Sequence, residues 1–449
     1  MKGNKLVILG AGESGVGAAL LAQANGYDVF ISDYGHIAPQ YKEELVAHDI
    51  AFEEGKHTSS KVLAADLIIK SPGISDEVAI VISARGKGIQ IISEIEFAYW
   101  FTSKPIIAIT GSNGKTTTTL LIHHFLQAGG YNTAIAGNIG MSMARHVLAN
   151  DADILVVELS SFQLDGIVDF KADIAVLLNI TPDHLDRYDD DFDKYVASKL
   201  RIVQNMSAGD LLVYNLEDKE LNNRWPYIPP ELTIKTCSIT KDTDARVING
   251  DLIFGPDADK TAIPQAALPL KGEHNQLNLM AAITVALAYD IETEVIIKSL
   301  SSFTNHPNRL EFITEIDGVA FYNDSKATNV EAVYYALGSF DKSIIWIAGG
   351  QDKGNNYEQI KALVEEKVKA MVCLGLDNRK LISFFSGLVD HVSETKLVEE
   401  AAKMAYHYAA KTDVVLLSPA CASFDLFKNY AQRGEMFKKA VLNLKEKVL

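Results

Sequence analysis

The feature that most constrains the fold is a recurring order of short apolar runs, loops rich in glycine or serine, and helical patterns. In the first part of the chain, apolar runs at 5–9, 28–32 and 67–70 alternate with helical patterns at 14–25 and near 93–101. Strands that are separated by helices indicate a doubly wound parallel sheet. The beginning of the chain therefore predicts an α/β domain with ligand sites at the strand ends.

The same order occurs twice more along the 449 residues, a length typical of about three domains. The second block has buried-strand patterns at 105–110, 154–158 and 175–179, helical patterns at 115–128 and 277–289, and a β-rich stretch at 205–270. The third block has strand patterns at 319–323, 344–348, 370–374 and 414–418. We therefore predict an α/β protein with domains at 1–102, 103–303 and 304–449.

Composition excludes several classes of protein. Lys and Arg number 42 and Asp and Glu 58, so the net charge of −16 would repel the phosphates of a nucleic acid. A phosphorylated substrate must therefore be held by local cations, backbone N–H groups or a metal. The three cysteines, Cys237, Cys373 and Cys421, are too scattered for a disulfide framework or a Cys-rich zinc site.

No apolar run approaches the roughly 18 residues of a membrane span. The short run near the N-terminus breaks at Gly10, as expected of a strand rather than a signal peptide. We expect a cytoplasmic protein that has no membrane span and no nucleic-acid partner.

A first glycine loop follows the strand at 5–9. Gly10, Gly12 and Gly15 have the spacing G-x-G-x-x-G, and Asp33 ends the next strand. Such glycines let the backbone approach a diphosphate at a helix N-terminus, and the acid suits a ribose. The motif alone fits NAD(P), another nucleotide diphosphate, or glycines that serve only tight packing.

A second glycine loop follows the strand at 105–110. Gly111 and Gly114 are followed directly by Lys115 and Thr116 at the start of a helix. Backbone N–H groups there would wrap phosphates, the lysine would reach the β- and γ-phosphates, and the threonine would bind Mg²⁺. The loop is shorter than a standard P-loop, since Ile109 occupies the position of the first glycine. The alternative is a helix N-terminus with an exposed lysine.

Oxygen ligands for Mg²⁺ would have to come from nearby strand ends. Glu158 ends one strand and His184 follows the next, although an acid there can also cap a helix and a lone histidine is usually structural. Lys199 has the local pattern of an ordinary helix-surface lysine.

Together these motifs resemble those of the Mur ligases, the ATP-dependent amide-forming ligases of peptidoglycan-precursor synthesis. The resemblance rests on segments at 110–117, 158–163, 179–186, 199 and 272–278, in the family order. Segments at 323–329, 349–354 and 418–425 resemble those of the D-glutamate-adding members. The resemblance implies a Rossmann-like N-terminal domain, a central P-loop ATPase-type domain with a β-rich excursion, and a Rossmann-like C-terminal domain.

The implied reaction joins D-glutamate to UDP-N-acetylmuramoyl-L-alanine, with ATP converted to ADP and phosphate. The implied residues for the UDP-linked substrate, which displaces NAD from the first loop, are Glu13, Ser14, Gly15, Asp33, Tyr34, Gly73 and Asn138. Those for ATP are Gly111, Asn113, Gly114, Lys115, Thr116, Thr117, Asn275, Arg309 and Asp324. Those for D-glutamate are Thr328, Lys353, Ser423, Phe424 and Tyr430.

The implied ligands of two Mg²⁺ ions are Thr116, Glu158, His184 and Lys199, the last as a carbamylated side chain. The implied catalytic residues are Lys115, Glu158, His184, Lys199 and Lys326. We expect the chain to act as a monomer.

The sequence departs from the family pattern at two positions. The residue before Arg309 is usually histidine; here it is Asn308, and the nearest histidine is His306, to which we assign no role. Tyr430 stands where phenylalanine is common, and its hydroxyl could add a hydrogen bond.

Two other functions compete with this interpretation. A folylpolyglutamate synthetase also adds glutamate with ATP, but it lacks a first domain of this kind. A nucleotide-sensing module would bind nucleotide without forming an amide, and it leaves the segment at 418–425 unexplained.

Overall fold

The computed structural model describes residues 4–256, 260–270 and 272–448. The chain folds into two compact units, Met1–Phe303 and Thr304–Leu449. The predicted mixed α/β class with three sheets is confirmed. The division of the first unit at 102/103 stays a prediction, as do the other two domain ranges.

The first sheet has five parallel strands in the order β3-β2-β1-β4-β5. The strands are β1 (Lys5–Leu9), β2 (Asp28–Ser32), β3 (Ala51–Glu53), β4 (Leu67–Lys70) and β5 (Gln90–Ile92). The helices are α1 (Glu13–Ala24), α2 (Pro39–Ala47), α3 (Ser59–Val62), α4 (Ala79–Gly86) and α5 (Glu94–Tyr99). The strand order reverses between β1 and β4, so the loops after these two strands border a crevice at the carboxyl edge.

The second sheet, in the same unit, has the order β14-β13-β12-β11-β10-β9-β6-β8-β7. The strands are β6 (Ile106–Thr110), β7 (Thr133–Gly137), β8 (Ile154–Glu158), β9 (Ile174–Leu177), β10 (Leu211–Asn215), β11 (Thr233–Ser238), β12 (Ala245–Ile248), β13 (Asp251–Phe254) and β14 (Thr261–Ile263). The helices are α6 (Lys115–Ala128), α7 (Met143–Ala149), α8 (Ser161–Leu164), α9 (Phe192–Leu200), α10 (Lys219–Arg224), α11 (Glu273–Ala288) and α12 (Thr293–Leu300).

The β-rich stretch predicted at 205–270 continues this second sheet. Its strands β10 and β11 are parallel to their neighbours, whereas β12, β13 and β14 pair antiparallel to one another. Every residue of β6, which lies between β9 and β8, is buried, because helices cover both faces of such a sheet. The second glycine loop therefore begins at the end of an interior strand.

The second unit has a six-stranded sheet in the order β15-β16-β20-β17-β18-β19. The strands are β15 (Glu311–Ile316), β16 (Val319–Asn323), β17 (Ile344–Ala348), β18 (Val368–Leu374), β19 (His391–Thr395) and β20 (Val414–Leu417). The helices are α13 (Val330–Gly338), α14 (Lys361–Lys367), α15 (Arg379–Phe385), α16 (Val398–Tyr408) and α17 (Tyr430–Val448). Only β15 is antiparallel to its neighbour in this sheet, within the described residues.

The predicted start of the helix at 277–289 is wrong by about one turn. The helix α11 begins at Glu273, directly after Gly272, whose φ is +92°. This glycine ends the preceding loop in a conformation that favours glycine, so the polar segment that follows it is already helical. No helix in the described part of the chain is both long and apolar enough to cross a bilayer.

Glu96 joins the helix α5 to the chain around 168–170. The side chain is fully buried, and its carboxylate accepts hydrogen bonds from the backbone N–H groups of Val168, Asp169 and Phe170 at 2.8–2.9 Å. The indole of Trp100 donates a fourth at 2.8 Å. The first and second sheets are therefore linked by a buried charged group.

Replacing Glu96 by alanine is expected to lower the free energy of unfolding by roughly 3–5 kcal/mol, because buried donors lose a charged acceptor. The measurement is urea unfolding of the full chain, with Glu77→Ala, an exposed acid, as the matched control. A loss for Glu96→Ala no larger than that of the control would contradict this role.

Candidate active site

A cleft of about 970 Å³ lies at the carboxyl edge of the first sheet, between the loops that follow β1, β2 and β4. Five of the residues predicted for the UDP-linked substrate line it, namely Glu13, Ser14, Asp33, Tyr34 and Gly73. The cleft coincides with the strand-order reversal, which is where the fold predicts a ligand.

Asp33 shapes the first glycine loop as well as facing the cleft. Its carboxylate accepts hydrogen bonds from Ala11 N and Gly35 N, both at 2.7 Å. Gly15 is buried beneath the loop, where a Cβ would lie 1.9 Å from the Gly10 carbonyl oxygen. The third glycine of the motif is thus required for packing in this fold.

Glu13 also contacts the chain around 142–145. Its carboxylate accepts from Ser142 N at 3.0 Å and forms an ion pair with Arg145 at 2.9 Å. Arg145 makes a second, bidentate pair with Glu44 at 2.6 and 2.7 Å. The start of α1 is therefore tied to the start of α7 beside the cleft.

The second glycine loop runs from β6 into α6 as the sequence predicts. Gly114 has φ +85°, and a Cβ there would lie 2.3 Å from Asn278 Oδ1. Asn278 in turn donates to Asn275 Oδ1 at 3.3 Å and accepts from Thr118 Oγ1 at the same distance. Asn275, predicted for the adenine side, is thereby connected to the loop.

Residues at the end of β9 hold the other side of this loop. Asn179 accepts from Asn113 N at 2.8 Å and donates to Asn113 O at 3.1 Å. Ser112 Oγ accepts from Thr181 N at 2.9 Å and lies 3.0 Å from the Tyr195 hydroxyl. Such bonds fix the loop before any phosphate arrives, which lowers the cost of ordering it on binding.

The side-chain nitrogens of two lysines converge on one carbonyl of the loop. Lys115 Nζ donates to Gly111 O at 2.7 Å and to Ser112 O at 2.9 Å. Lys199 Nζ, from α9, donates to Gly111 O at 2.9 Å and lies 4.7 Å from the centre of the Tyr195 ring. These two residues, predicted from separate motifs, thus lie together at the second glycine loop, which is called the phosphate loop below.

The surface position expected for Lys199 from its local pattern is wrong. Its side chain is only 1% exposed. Burial, and next the positive charge of Lys115, hold the pKa of the Lys199 amine well below its ordinary value. The physical reason is that the amine sits under the loop, where water cannot stabilise the charged form.

Glu158 ends β8 beside the phosphate loop and is 1% exposed. Asn138, predicted for the sugar-phosphate, donates from Nδ2 to Glu158 Oε1 at 2.7 Å and from its backbone N to Glu158 O at 2.9 Å. The asparagine therefore orients the carboxylate, and its contact with substrate stays a prediction.

His184 follows β9 and has φ +53°. Its imidazole packs edge-on against Phe162, with 5.3 Å between ring centres, and the Arg187 guanidinium lies 4.5 Å from that same ring. Arg187 donates to the carbonyls of Pro72 and Gly73 at 3.3 Å. A chain of contacts thus connects the substrate cleft to the predicted metal ligand His184.

Three of the four predicted metal ligands end or follow neighbouring strands, and the fourth, Lys199, lies on α9. Thr116 follows β6, Glu158 ends β8, and His184 follows β9, and these strands lie side by side in the order β9-β6-β8. Hydroxyl and carboxylate oxygens suit Mg²⁺, and a carbamate on Lys199 would add oxygen where an amine cannot serve. Among the described residues, no three His, Cys, Asp or Glu side chains cluster as a metal site by themselves.

In the second unit, four of the five residues predicted for D-glutamate lie on three loops, 324–329, 349–356 and 418–429, and the fifth, Tyr430, begins α17. These loops follow β16, β17 and β20, which are adjacent in the sheet. Lys326 Nζ lies 5.0 Å from the centre of the Tyr430 ring. Thr328 and Lys353 lie on the first two of these loops and Ser423 on the third, with Phe424 being 65% exposed. The four predicted positions on these loops therefore share one edge of the sheet.

Asp324, predicted for ATP, is buried next to Arg309. It accepts from Ser418 Oγ at 3.0 Å and from Leu310 N at 3.2 Å. Burial raises the pKa of its carboxyl to about 7, against these hydrogen bonds and the charge of Arg309.

Asn308, which departs from the family pattern, has φ +69°, a conformation that asparagine adopts more readily than most residues. Its Oδ1 accepts from Asn323 Nδ2 at 3.0 Å, and its carbonyl accepts from Lys326 N at 3.1 Å. The asparagine therefore connects the loop before β15 to the one after β16. His306 is bonded to its neighbour Pro307 O at 2.7 Å.

The first unit has a phosphate loop, and the second unit has polar loops at the ends of adjacent strands. This combination is the one expected of an ATP-dependent ligase. Family models match most of the chain: MurD N-terminal domain at residues 5–80, Mur ligase middle domain at 109–286, and Mur ligase, glutamate ligase domain at 308–421. The chain belongs to the Mur ligase family.

Curated relatives match the chain from end to end. The UDP-N-acetylmuramoylalanine–D-glutamate ligase of Christiangramia forsetii is 49% identical, covering 98% of this chain and 100% of the relative. The enzyme of the same name from Cytophaga hutchinsonii is 48% identical, covering 98% and 99%. Among solved structures, UDP-N-acetylmuramate-alanine ligase from Thermotoga maritima has a TM-score of 0.63 at 18% identity, covering 98% and 100%, which shows the shared fold.

Proposed function

We propose that the protein joins D-glutamate to UDP-N-acetylmuramoyl-L-alanine, releasing ADP and phosphate. The observation that carries the proposal is the convergence of Lys115 and Lys199 on the Gly111 carbonyl, in a chain whose full-length relatives are named for this reaction. The γ-phosphoryl group of ATP passes to the alanine carboxylate and gives an acyl phosphate. The amine of D-glutamate then attacks the acyl carbon, loses a proton and expels phosphate.

The phosphate loop is needed because the first step brings two anions together. The substrate carboxylate and the γ-phosphate repel each other strongly once water is excluded. Lys115 offsets this repulsion, and the N–H groups at the start of α6 bind phosphate oxygens. Positioning and charge stabilisation account for most of the catalysis in phosphoryl transfer.

Two Mg²⁺ ions, held by Thr116, Glu158, His184 and carbamylated Lys199, would neutralise the charge that develops on the phosphoryl oxygens. The depressed pKa of Lys199 supports the carbamate. A neutral amine adds to carbon dioxide, loses one proton and becomes an anionic oxygen ligand. Asn138 keeps the Glu158 carboxylate oriented for its part in this set.

The remaining predicted residues divide between the two units. The cleft of the first sheet holds the uridine diphosphate, with Glu13, Ser14, Asp33 and Tyr34 on its wall. In the second unit, Lys353 pairs with one carboxylate of D-glutamate, and the hydroxyls of Thr328 and Ser423 bind the other. Lys326, on the 324–329 loop, is the residue of the second unit proposed to act on the reacting phosphate. The protein acts as a cytoplasmic monomer with domains at 1–102, 103–303 and 304–449.

Phosphate release with different amino acids tests the function. With ATP, Mg²⁺ and UDP-N-acetylmuramoyl-L-alanine, release is expected with D-glutamate and is at least about 100-fold slower with L-glutamate or diaminopimelate, which misplace a charged group. Omission of the UDP-linked substrate is the control for idle ATP hydrolysis. Equal rates with all three amino acids would overturn the assignment.

A further inference from the structure

One charged side chain in the second unit is buried and forms no ion pair, although the charge of Asp425 acts on it from a greater distance. Arg433, in the first turn of α17, is 1% exposed, and no carboxylate in the described part of the chain lies within ion-pair distance of its guanidinium. Burying an unpaired charge is costly, and most buried charges are paired. The guanidinium therefore needs another structural reason for its position.

Its hydrogen bonds all go to the three loops that carry the candidates for D-glutamate. Nε donates to Ser325 Oγ at 3.0 Å and Nη2 to Ser325 O at 2.9 Å, on the 324–329 loop. Nη1 donates to Gly349 O at 3.3 Å, on the 349–356 loop. Both terminal nitrogens donate to Cys421 O at 3.2 Å, on the 418–429 loop.

The backbone around the guanidinium leaves little room for a different arrangement. Gly350 has φ +130°, and a Cβ there would lie 3.2 Å from Arg433 Nη1 and 2.2 Å from Ala422 O. Gln351 and Ala422 exchange backbone hydrogen bonds at 2.8 and 3.1 Å, so two of the loops are also paired directly. Ser325 Oγ donates to Tyr430 O at 2.8 Å, so the 324–329 loop is hydrogen-bonded to the start of α17.

We infer that Arg433 is a positioning residue for the amino acid substrate, a role that rests on the proposed function. Its planar fork fixes the three loops relative to one another, and thereby the spacing of Lys326, Lys353 and Ser423. Lysine cannot replace it, because an ammonium group lacks the fixed fork that spans carbonyls of separate loops. The guanidinium stays protonated at neutral pH, so it also adds positive charge beneath loops that receive an amino acid with two carboxylates.

The test is steady-state kinetics of the full chain with Arg433→Ala and Arg433→Lys. For both variants, KM for D-glutamate is expected to rise about 30-fold, the effect of losing buried hydrogen bonds to a charged group. KM for the UDP-linked substrate should stay within about twofold of the wild-type value. The cleft for that substrate lies in the other unit, and the residues that line it form no hydrogen bond with the Arg433 guanidinium. Lys445→Ala, on the same helix, is the matched control and should change neither constant.

Chemical rescue separates positioning from general loss of structure. Millimolar guanidinium ion is expected to lower the D-glutamate KM of Arg433→Ala about fivefold or more, whereas methylammonium should not, because only the former has the planar fork. If Arg433→Ala fails to fold, Ser325→Ala removes one acceptor of the guanidinium and should raise the same KM about threefold. A D-glutamate KM within about twofold of wild type in every folded variant, or equal changes in both KM values, would overturn the inference.

Failure of the proposed function has a different signature. If the wild-type protein turned over another amino acid in place of D-glutamate, the function would be wrong. The KM for that amino acid would then provide the same test of Arg433, because the hydrogen bonds to the three loops do not depend on its identity.

Discussion

The Lys115→Ala variant is expected to lose at least about 1,000-fold in kcat, the scale seen when a cation that stabilises phosphoryl transfer is removed. Lys115 Nζ lies 2.7 Å from the Gly111 carbonyl oxygen, at the opening of α6. From this position it would reach phosphates bound at the N–H groups of the loop, as proposed. The variant should therefore fail in the first step, so that no acyl phosphate accumulates when D-glutamate is omitted.

The measurement is kcat from phosphate release, together with trapping of the acyl phosphate by reduction with borohydride. Lys298→Ala, an exposed lysine on α12, is the control and should keep full activity. Accumulation of acyl phosphate in Lys115→Ala at the wild-type rate would show that the loop does not act in phosphoryl transfer.

The Lys199→Ala variant is expected to lose about 100-fold or more in kcat, as when an anionic metal ligand is removed. Short carboxylic acids such as acetate should restore part of the activity, because they place an oxygen anion in the cavity left by the side chain. The expectation that Lys199 carries a carbamate rests on its burial and on the lowered pKa of its amine, because both favour the neutral form that reacts with carbon dioxide.

Lys194→Ala provides the comparison on the same helix, since that lysine is exposed and pairs with Asp189. It should retain wild-type activity and show no response to acetate. Full activity of Lys199→Ala without additives would refute a role for the carbamate.

Much of the fold could be predicted from the sequence because buried parallel strands are continuous apolar runs. The strands β1, β2, β4 and β8 have the predicted bounds, as do β16 and β17. Strands such as β7 and β19 were not predicted, since each lies at the edge of its sheet and carries fewer buried apolar residues. Pairing with a neighbour, which a local pattern does not reveal, makes these segments strands.

The residues of the phosphate loop could be predicted because they are consecutive in the sequence. The residues that support the loop could not. Asn179, Asn278 and Tyr195 contact it from distant elements. An amide that follows a buried strand, as Asn179 does, is the one local signal that could have suggested such a role.

The buried lysine and the buried arginine illustrate the same limit. Lys199 and Arg433 both lie on helices whose other basic residues are exposed or half-buried, and nothing in the local sequence marks either residue as buried. Only the folded chain shows that one lies under the phosphate loop and the other beneath the three loops of the second unit. Tertiary contacts, which the local pattern does not contain, determine both.

The most direct test of the central claim is oxygen transfer during a single turnover. UDP-N-acetylmuramoyl-L-alanine carrying oxygen-18 in both carboxylate oxygens is incubated with the wild-type protein, ATP, Mg²⁺ and D-glutamate, and the released phosphate is analysed by mass spectrometry. Activation through an acyl phosphate predicts that one labelled oxygen appears in each phosphate released. Phosphate without label, accompanied by formation of the amide, would contradict the account.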